Sequence, residues 1–139
     1  MHTYSSPHTP VKASNHEVFV FLSDFNNFEN LMPKEQVTNW KSTTDKCSFT
    51  VQGMGEMGLM ITEKTEDAKI VIIPDKEGKP LPIKFNLICE MKPLAETETE
   101  VDIRIEADLP PMIAMMAGRP LQNLVNILAL RLQEYYAAK

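Results

Sequence analysis

Hydrophobic spacing divides the 139-residue chain into three regions. From about residue 36 to 108 apolar side chains recur at every second position, the period of a strand with one wet face. Cys47, Phe49 and Val51 alternate with Ser48, Thr50 and Gln52, and Met57, Leu59 and Ile61 follow the same phase. Ile70, Val71, Ile72 and Ile73 form a β-branched run stopped by Pro74. Ile83, Phe85, Leu87, Cys89 and Met91 alternate over five positions. Val101, Ile103, Ile105 and Ala107 alternate with Asp102, Arg104, Glu106 and Asp108, the clearest half-buried strand in the chain. Turn-forming residues separate these runs: Gly53 and Gly55, Glu66-Asp67, Asp75-Lys76-Glu77-Gly78, and Pro93 to Glu96. Short connections between alternating runs predict an antiparallel meander.

The flanks follow the helical period. Ser14-Asn15-His16-Glu17 is a capping-box pattern, and Val18, Phe19 and Leu22 then share one helical face. Asp24 to Asn27 favours caps and turns, which predicts an interruption before a second short helix over residues 28–32, closed by Pro33. Near the C-terminus, Leu121, Leu124, Val125, Leu128, Leu132 and Tyr135 form one apolar stripe. Gln122, Asn126 and Gln133 occupy the opposite face. Gly118-Arg119-Pro120 predicts a break or kink, with 112–117 as a separate helical piece in another orientation. Residues 2–12 carry Pro7 and Pro10 and predict at best an edge strand. An apolar sheet face must be covered, and the final helix is the one long amphipathic element available. The expected fold is therefore α+β: a curved antiparallel sheet of about seven strands around a C-terminal helix, with two short helices after the first strand.

Composition narrows the function classes. Apolar residues make up 43% and charged residues 24%, which suits one folded domain over residues 1–139. The net charge of −5, without a basic block, points away from nucleic acid. No apolar run approaches the ~20 residues of a membrane helix, so stable membrane insertion is not expected. The first residues lack the basic and apolar segments of a secretory signal. Two cysteines, Cys47 and Cys89, make no disulfide framework, and a reducing cytoplasm is the expected location.

The element order, with Ser14-Asn15-His16-Glu17-Val18-Phe19 opening the first helix and Asp24-Phe25-Asn26-Asn27-Phe28 leading into Leu31-Met32-Pro33, resembles the START/polyketide-cyclase (SRPBCC) helix-grip superfamily. The resemblance spans nearly the whole chain and is more specific for fold than for activity. It implies a seven-stranded sheet gripping the long helix, with a deep pocket for an apolar ligand between them. Members include lipid carriers, hormone receptors, aromatic cyclases and co-chaperone-like proteins.

Nine methionines outnumber five glycines. Met54, Met57 and Met60 lie beside the glycine-rich turn, and Met112, Met115 and Met116 precede the expected helix break. Methionine adapts to variable apolar partners, so these residues fit either a compliant ligand wall or loose core filling. The segment Gly53-Met54-Gly55-Glu56-Met57-Gly58 spells a dinucleotide fingerprint, but the following residues read as strand where that motif needs a helix. It is read as a hairpin turn. His2, His8 and His16 have no cysteine or carboxylate at ligand spacing, and no metal or other cofactor is expected. Cys47 and Cys89 fall on apolar strand phases and read as core. Glu96-Thr97-Glu98-Thr99-Glu100 reads as a solvated turn and edge. Glu90 and Arg104 point outward by phase. Arg119 could meet an anionic head group or face solvent. Trp40 has no settled phase; facing inward with Thr38 and Ser42, it would supply a flat wall and an N–H donor.

The expected function is binding or transport of a hydrophobic or amphipathic small molecule, lipid or polyketide-like, between sheet and C-terminal helix. The expected ligand-binding residues are Trp40, Met57, Leu59, Phe85, Leu87, Met112, Met115, Met116, Arg119 and Leu124. Two other classes stay open. A cyclase or dehydrase would need an inward acid, base or hydrogen-bonding pair. A protein-interaction module could dock a partner in the groove or on the outer helix face, where Ile127 and Leu130 also suggest a homodimer.

Overall fold

Alternation in the middle of the chain becomes one antiparallel sheet of eight strands. The structure is a computed structural model that describes residues 2–35, 37–51, 55–75 and 84–137. Its elements are β1 (His2–Ser5), β2 (Thr9–Val11), α1 (Asn15–Leu22), α2 (Phe25–Phe28), a 3₁₀ turn (Glu29–Leu31), β3 (Val37–Ser42), β4 (Lys46–Val51), β5 (Gly55–Thr65), β6 (Lys69–Pro74), β7 (Lys84–Ala95), β8 (Glu98–Asp108) and α3 (Pro111–Ala137). The sheet order is β1-β8-β7-β6-β5-β4-β3, with β2 also paired to β8. The strand count exceeds the expected seven because the N-terminal segment contributes two short edge strands on either side of Pro7. Pro7 and Pro10 are tolerated there because only one side of this edge is paired.

Register places the apolar phase on one face. Phe85, Leu87, Cys89 and Met91 oppose Ala107, Ile105, Ile103 and Val101. Ile72 and Ile70 oppose Leu87 and Cys89, and Cys47 and Phe49 oppose Leu59 and Met57. The other face carries the charges. Arg104 sits among Glu90, Asp102 at 3.9 Å and Glu106 at 3.5 Å. Burial alone would lower the Arg104 pKa, yet its hydrogen bond to Glu90 and the surrounding carboxylates raise it. Outward placement of Glu90 and Arg104 thus holds. Ile83, Gln52, Gly53, Met54 and the Lys76-Glu77-Gly78 turn lie outside the described residues.

The capping box forms: the Glu17 backbone N–H donates to Ser14 Oγ at 3.1 Å, and the Ser14 N–H reaches Glu17 Oε1 at 3.4 Å. Four expectations are corrected by the structure. Asp24 does not merely interrupt a helix; its carboxylate accepts the Asn26 N–H at 2.9 Å and starts α2 at Phe25, ahead of the expected 28. Thr99 is no part of a solvated edge. It is fully buried on β8, a central strand, and its hydroxyl donates to the Ala13 carbonyl at 2.7 Å. The polar face of the C-terminal helix is not simply wet. Gln122 Nε2 donates to the Ser5 carbonyl at 2.7 Å and Gln133 Nε2 to the Pro10 carbonyl at 3.0 Å, which clamps β1 and β2 beneath the helix.

The fourth correction concerns Pro120. α3 runs unbroken from Pro111 to Ala137 with Pro120 inside it. The proline removes the bond to the carbonyl four residues earlier, at Met116. Both Pro120 and Met116 face solvent, where water can satisfy that carbonyl. A proline on the wet side of the helix is therefore accommodated within one continuous helical run.

Candidate functional site

The apolar sheet face and the helices above it make a layer whose two ends differ. At one end, Ile70, Cys89 and Ile103 form a row across β6, β7 and β8 with at most 1% exposure. α1 lies over these three strands, and the C-terminal part of α3 packs beside it through Val125, Leu128, Ala129, Leu132 and Tyr136, all buried. Phe21 of α1 meets the Tyr135 and Tyr136 rings at 4.8 and 5.8 Å. The Tyr136 hydroxyl reaches the Glu17 carbonyl at 3.4 Å, and burial, with Tyr135 and Glu17 nearby, raises its pKa to about 12.

Toward the other end, burial loosens. Met57 on β5 and Phe85 on β7 are half-buried although both hold the inward phase. Trp40 and Val37 on β3 are half-buried too. The N-terminal part of α3 is loosely buried too: Ile113, Ala114, Ala117, Leu121 and Leu124 pack against the core without any becoming fully buried. The helix is pinned along one side. Gly118 lets the Tyr4 ring of β1 approach so closely that a Cβ there would stand 3.3 Å from the hydroxyl. α3 runs closest to β1, β2 and β8 at one flank of the sheet, and it also meets the 3₁₀ turn.

Trp40 owes its direction to a bulge. The β3–β4 register shifts between Thr38 and Lys41, and Asn39 takes a positive φ of 55°. Asn accepts the left-handed region more readily than other side-chain-bearing residues except Asp. The shift leaves Thr38 opposite the outward Thr50, while the Trp40 ring turns inward to stack on Phe49 at 5.3 Å with a 14° interplanar angle. Thr38 therefore does not share the Trp40 face, whereas Ser42 holds the inward Cys47 register and donates to Asn26 Oδ1 at 2.6 Å. Trp40 Nε1 is shut off from solvent and has no hydrogen-bond partner among the described residues. A buried donor left in that state costs about 1–3 kcal/mol.

The ten residues expected to bind ligand divide into three groups. Leu59 and Leu87 are buried core residues at the margin of the loose end. Trp40, Met57, Phe85 and Leu124 are half-buried on its walls. Met112, Met115, Met116 and Arg119 are on the outside, with the methionines 78, 88 and 78% exposed. Their outward placement sets these four apart from the other six, and its cause is the unbroken helix. Positions 112, 115, 116 and 119 share the outer face, and without a break nothing turns them inward. Tyr4, Val37, Ile113, Ala117 and Leu121 were missed; of these only Leu121 carried a signal, its place on the helical stripe.

Two surface clefts flank the connection from the 3₁₀ turn to β3. One, of about 320 Å³, is lined by Glu29, Met32, Lys34, Val37, Thr38, Asn39 and Trp40. The other, of about 380 Å³, lies between Pro33 and the Pro120, Asn123, Leu124 and Ile127 side of α3. The thiols of Cys47 and Cys89 are poor nucleophiles here, because burial pushes both to about 12. His16, Glu66 and Asp67 meet at the surface, with His16 Nδ1 2.8 Å from Asp67 Oδ1. Sequence spacing could not show this group, which joins α1 to a turn about fifty residues away. Among the described residues no helix is long and apolar enough to cross a membrane.

Neither a protein-family model nor a curated protein matches the sequence. Solved structures match in fold. A START superfamily protein from Mycobacterium smegmatis is 19% identical, with a TM-score of 0.66 over 97% of this chain and 99% of that one. A protein from Thermobifida fusca is also 19% identical, with a TM-score of 0.72 over 99% and 95% of the two chains. A protein from Arthrobacter aurescens is 12% identical, with a TM-score of 0.76 over 99% and 87%. At these identities the likeness shows the fold, a START-like helix grip.

Proposed function

We propose, starting from this START-like helix-grip fold, that the protein binds an apolar or amphipathic small molecule between the loose end of the sheet and the N-terminal part of α3. The observation that carries the reading is the pairing of two incompletely buried surfaces. Apolar residues 113, 114, 117, 121 and 124 on the helix and Trp40, Met57 and Phe85 on the sheet all remain short of full burial. The same layer is close-packed at its other end. A ligand there removes apolar area from water on both surfaces, at roughly 25 cal/mol per Å² before the costs of association. Trp40, Met57, Phe85 and Leu124 form the walls, and Leu59 and Leu87 the floor.

The same walls disfavour a cyclase or dehydrase. General acid–base chemistry needs a titratable group within reach of the reacting atoms, and these six side chains carry none. The test is native mass spectrometry and thermal shift against fatty acids and neutral polycyclic aromatics. Retention of at least one class, lost in Leu124→Trp with the melting temperature unchanged or raised, supports the reading. Retention of none overturns it.

A further inference from the structure

Within that proposed site, on whose existence the argument rests, the donor at Trp40 selects among ligands. Three features meet at this residue. The Nε1–H is buried and without a partner among the described residues. The ring is held flat against Phe49. The backbone reaches this arrangement through a bulge with Asn39 at φ 55°. Trp ordinarily finds a partner for its N–H when buried. A fold that spends a register shift on turning an indole inward, and then leaves its one polar atom unmatched, presents a donor to something else.

We infer that Trp40 Nε1–H is the orienting hydrogen-bond donor for a neutral acceptor, a ketone, ester or quinone oxygen, on a flat apolar ligand. The stacked Trp40–Phe49 pair supplies a planar surface that suits a ring system better than a flexible chain. The neighbouring side chains are Phe49, Met57 opposite it on β5, and Met32 and Val37 in the adjoining cleft. Met57 and Met32 are unbranched, and side chains of that kind adapt their shape to a ligand. The charged residues of that cleft, Glu29 and Lys34, are both exposed and of opposite sign. A ligand carboxylate at Trp40 would therefore lose hydration beside Glu29 as well as Lys34, at the cost that burying a charge carries. A neutral oxygen meets the donor without that penalty.

Fluorenone and fluorene test this directly, because they share a planar skeleton and differ in one carbonyl. Trp40 is the single tryptophan, so its fluorescence reports binding and its indole N–H gives one identifiable resonance. The expected result is roughly tenfold tighter binding of fluorenone than of fluorene, the worth of one ordinary hydrogen bond. The indole resonance moves downfield with fluorenone alone, a readout that needs no variant. Trp40→Phe, followed by calorimetry, binds both compounds at the fluorene level. Equal binding of the two by the wild type, or a fluorenone preference that survives Trp40→Phe, overturns the role of Trp40 while leaving the site intact. Tightest binding by fluorenecarboxylate overturns the neutral-acceptor assignment. Binding of none of the three overturns the site and the donor together.

Discussion

The two parts of α3 draw on similar apolar residues and end in different states. From Val125 onward the helix buries five side chains against α1, β8 and the N-terminal strands. Before Val125 it buries none completely, although Ile113, Leu121 and Leu124 are as hydrophobic as their counterparts. The difference comes from what stands opposite. The C-terminal part shares its layer with α1, whose Phe21 fills the space between helix and sheet. Among the described residues the N-terminal part has no second α-helix beside it, and it is held along one flank by Tyr4 under Gly118. Full burial is a property of the pair of surfaces, and a helix cannot achieve it alone.

Several substitutions and conditions break or sharpen this contrast. The largest effect is expected at alkaline pH and acts through the buried thiols and Tyr136. Burial raises Cys47 and Cys89 from 9.0 and Tyr136 from 10.0, each to about 12. A folded pKa above the unfolded one means that the unfolded chain loses its protons first. The associated stability is therefore complete below about pH 9 and disappears as pH rises toward 12. The urea midpoint should fall steadily over that interval, and by less in Tyr136→Phe. Next in size, Leu132→Ala should lower unfolding free energy by about 2–5 kcal/mol in urea titration. Leu124→Ala, at the loose end, should cost under about 1.5 kcal/mol, since a half-buried side chain leaves little new cavity. Thr99→Val should cost about 1–3 kcal/mol by the same measurement, because it leaves the Ala13 carbonyl unpaired under the sheet. Smallest of all, Met115→Gln should change stability by no more than about 0.5 kcal/mol, as expected for an exposed position.

The strand phases were legible because alternation is local. Val101, Ile103, Ile105 and Ala107 face inward as their spacing requires, and the Ser14 capping box forms as written. What escaped was set by long-range partners or by single backbone irregularities. The Trp40 phase depended on one bulge at Asn39, which a period-two pattern does not encode. Gln122 and Gln133 looked like solvent-facing polar residues until the proline-flanked N-terminal strands came to lie beneath them. Met112, Met115 and Met116 were placed by assuming that Pro120 ends a helix. Of the candidate walls and their neighbours, Met57, Phe85 and Leu124 followed from phase. Tyr4 and Val37 did not, since each sits in a short strand flanked by proline or turn residues.

The direct test of the central claim is a crystal structure of the protein under xenon pressure, since xenon occupies dry apolar space and little else. The account predicts a xenon atom bounded by Met57, Phe85 and Leu124, and none among Ile70, Cys89 and Leu132. Side chains closing together beneath residues 113–124, with no xenon between them, would contradict it.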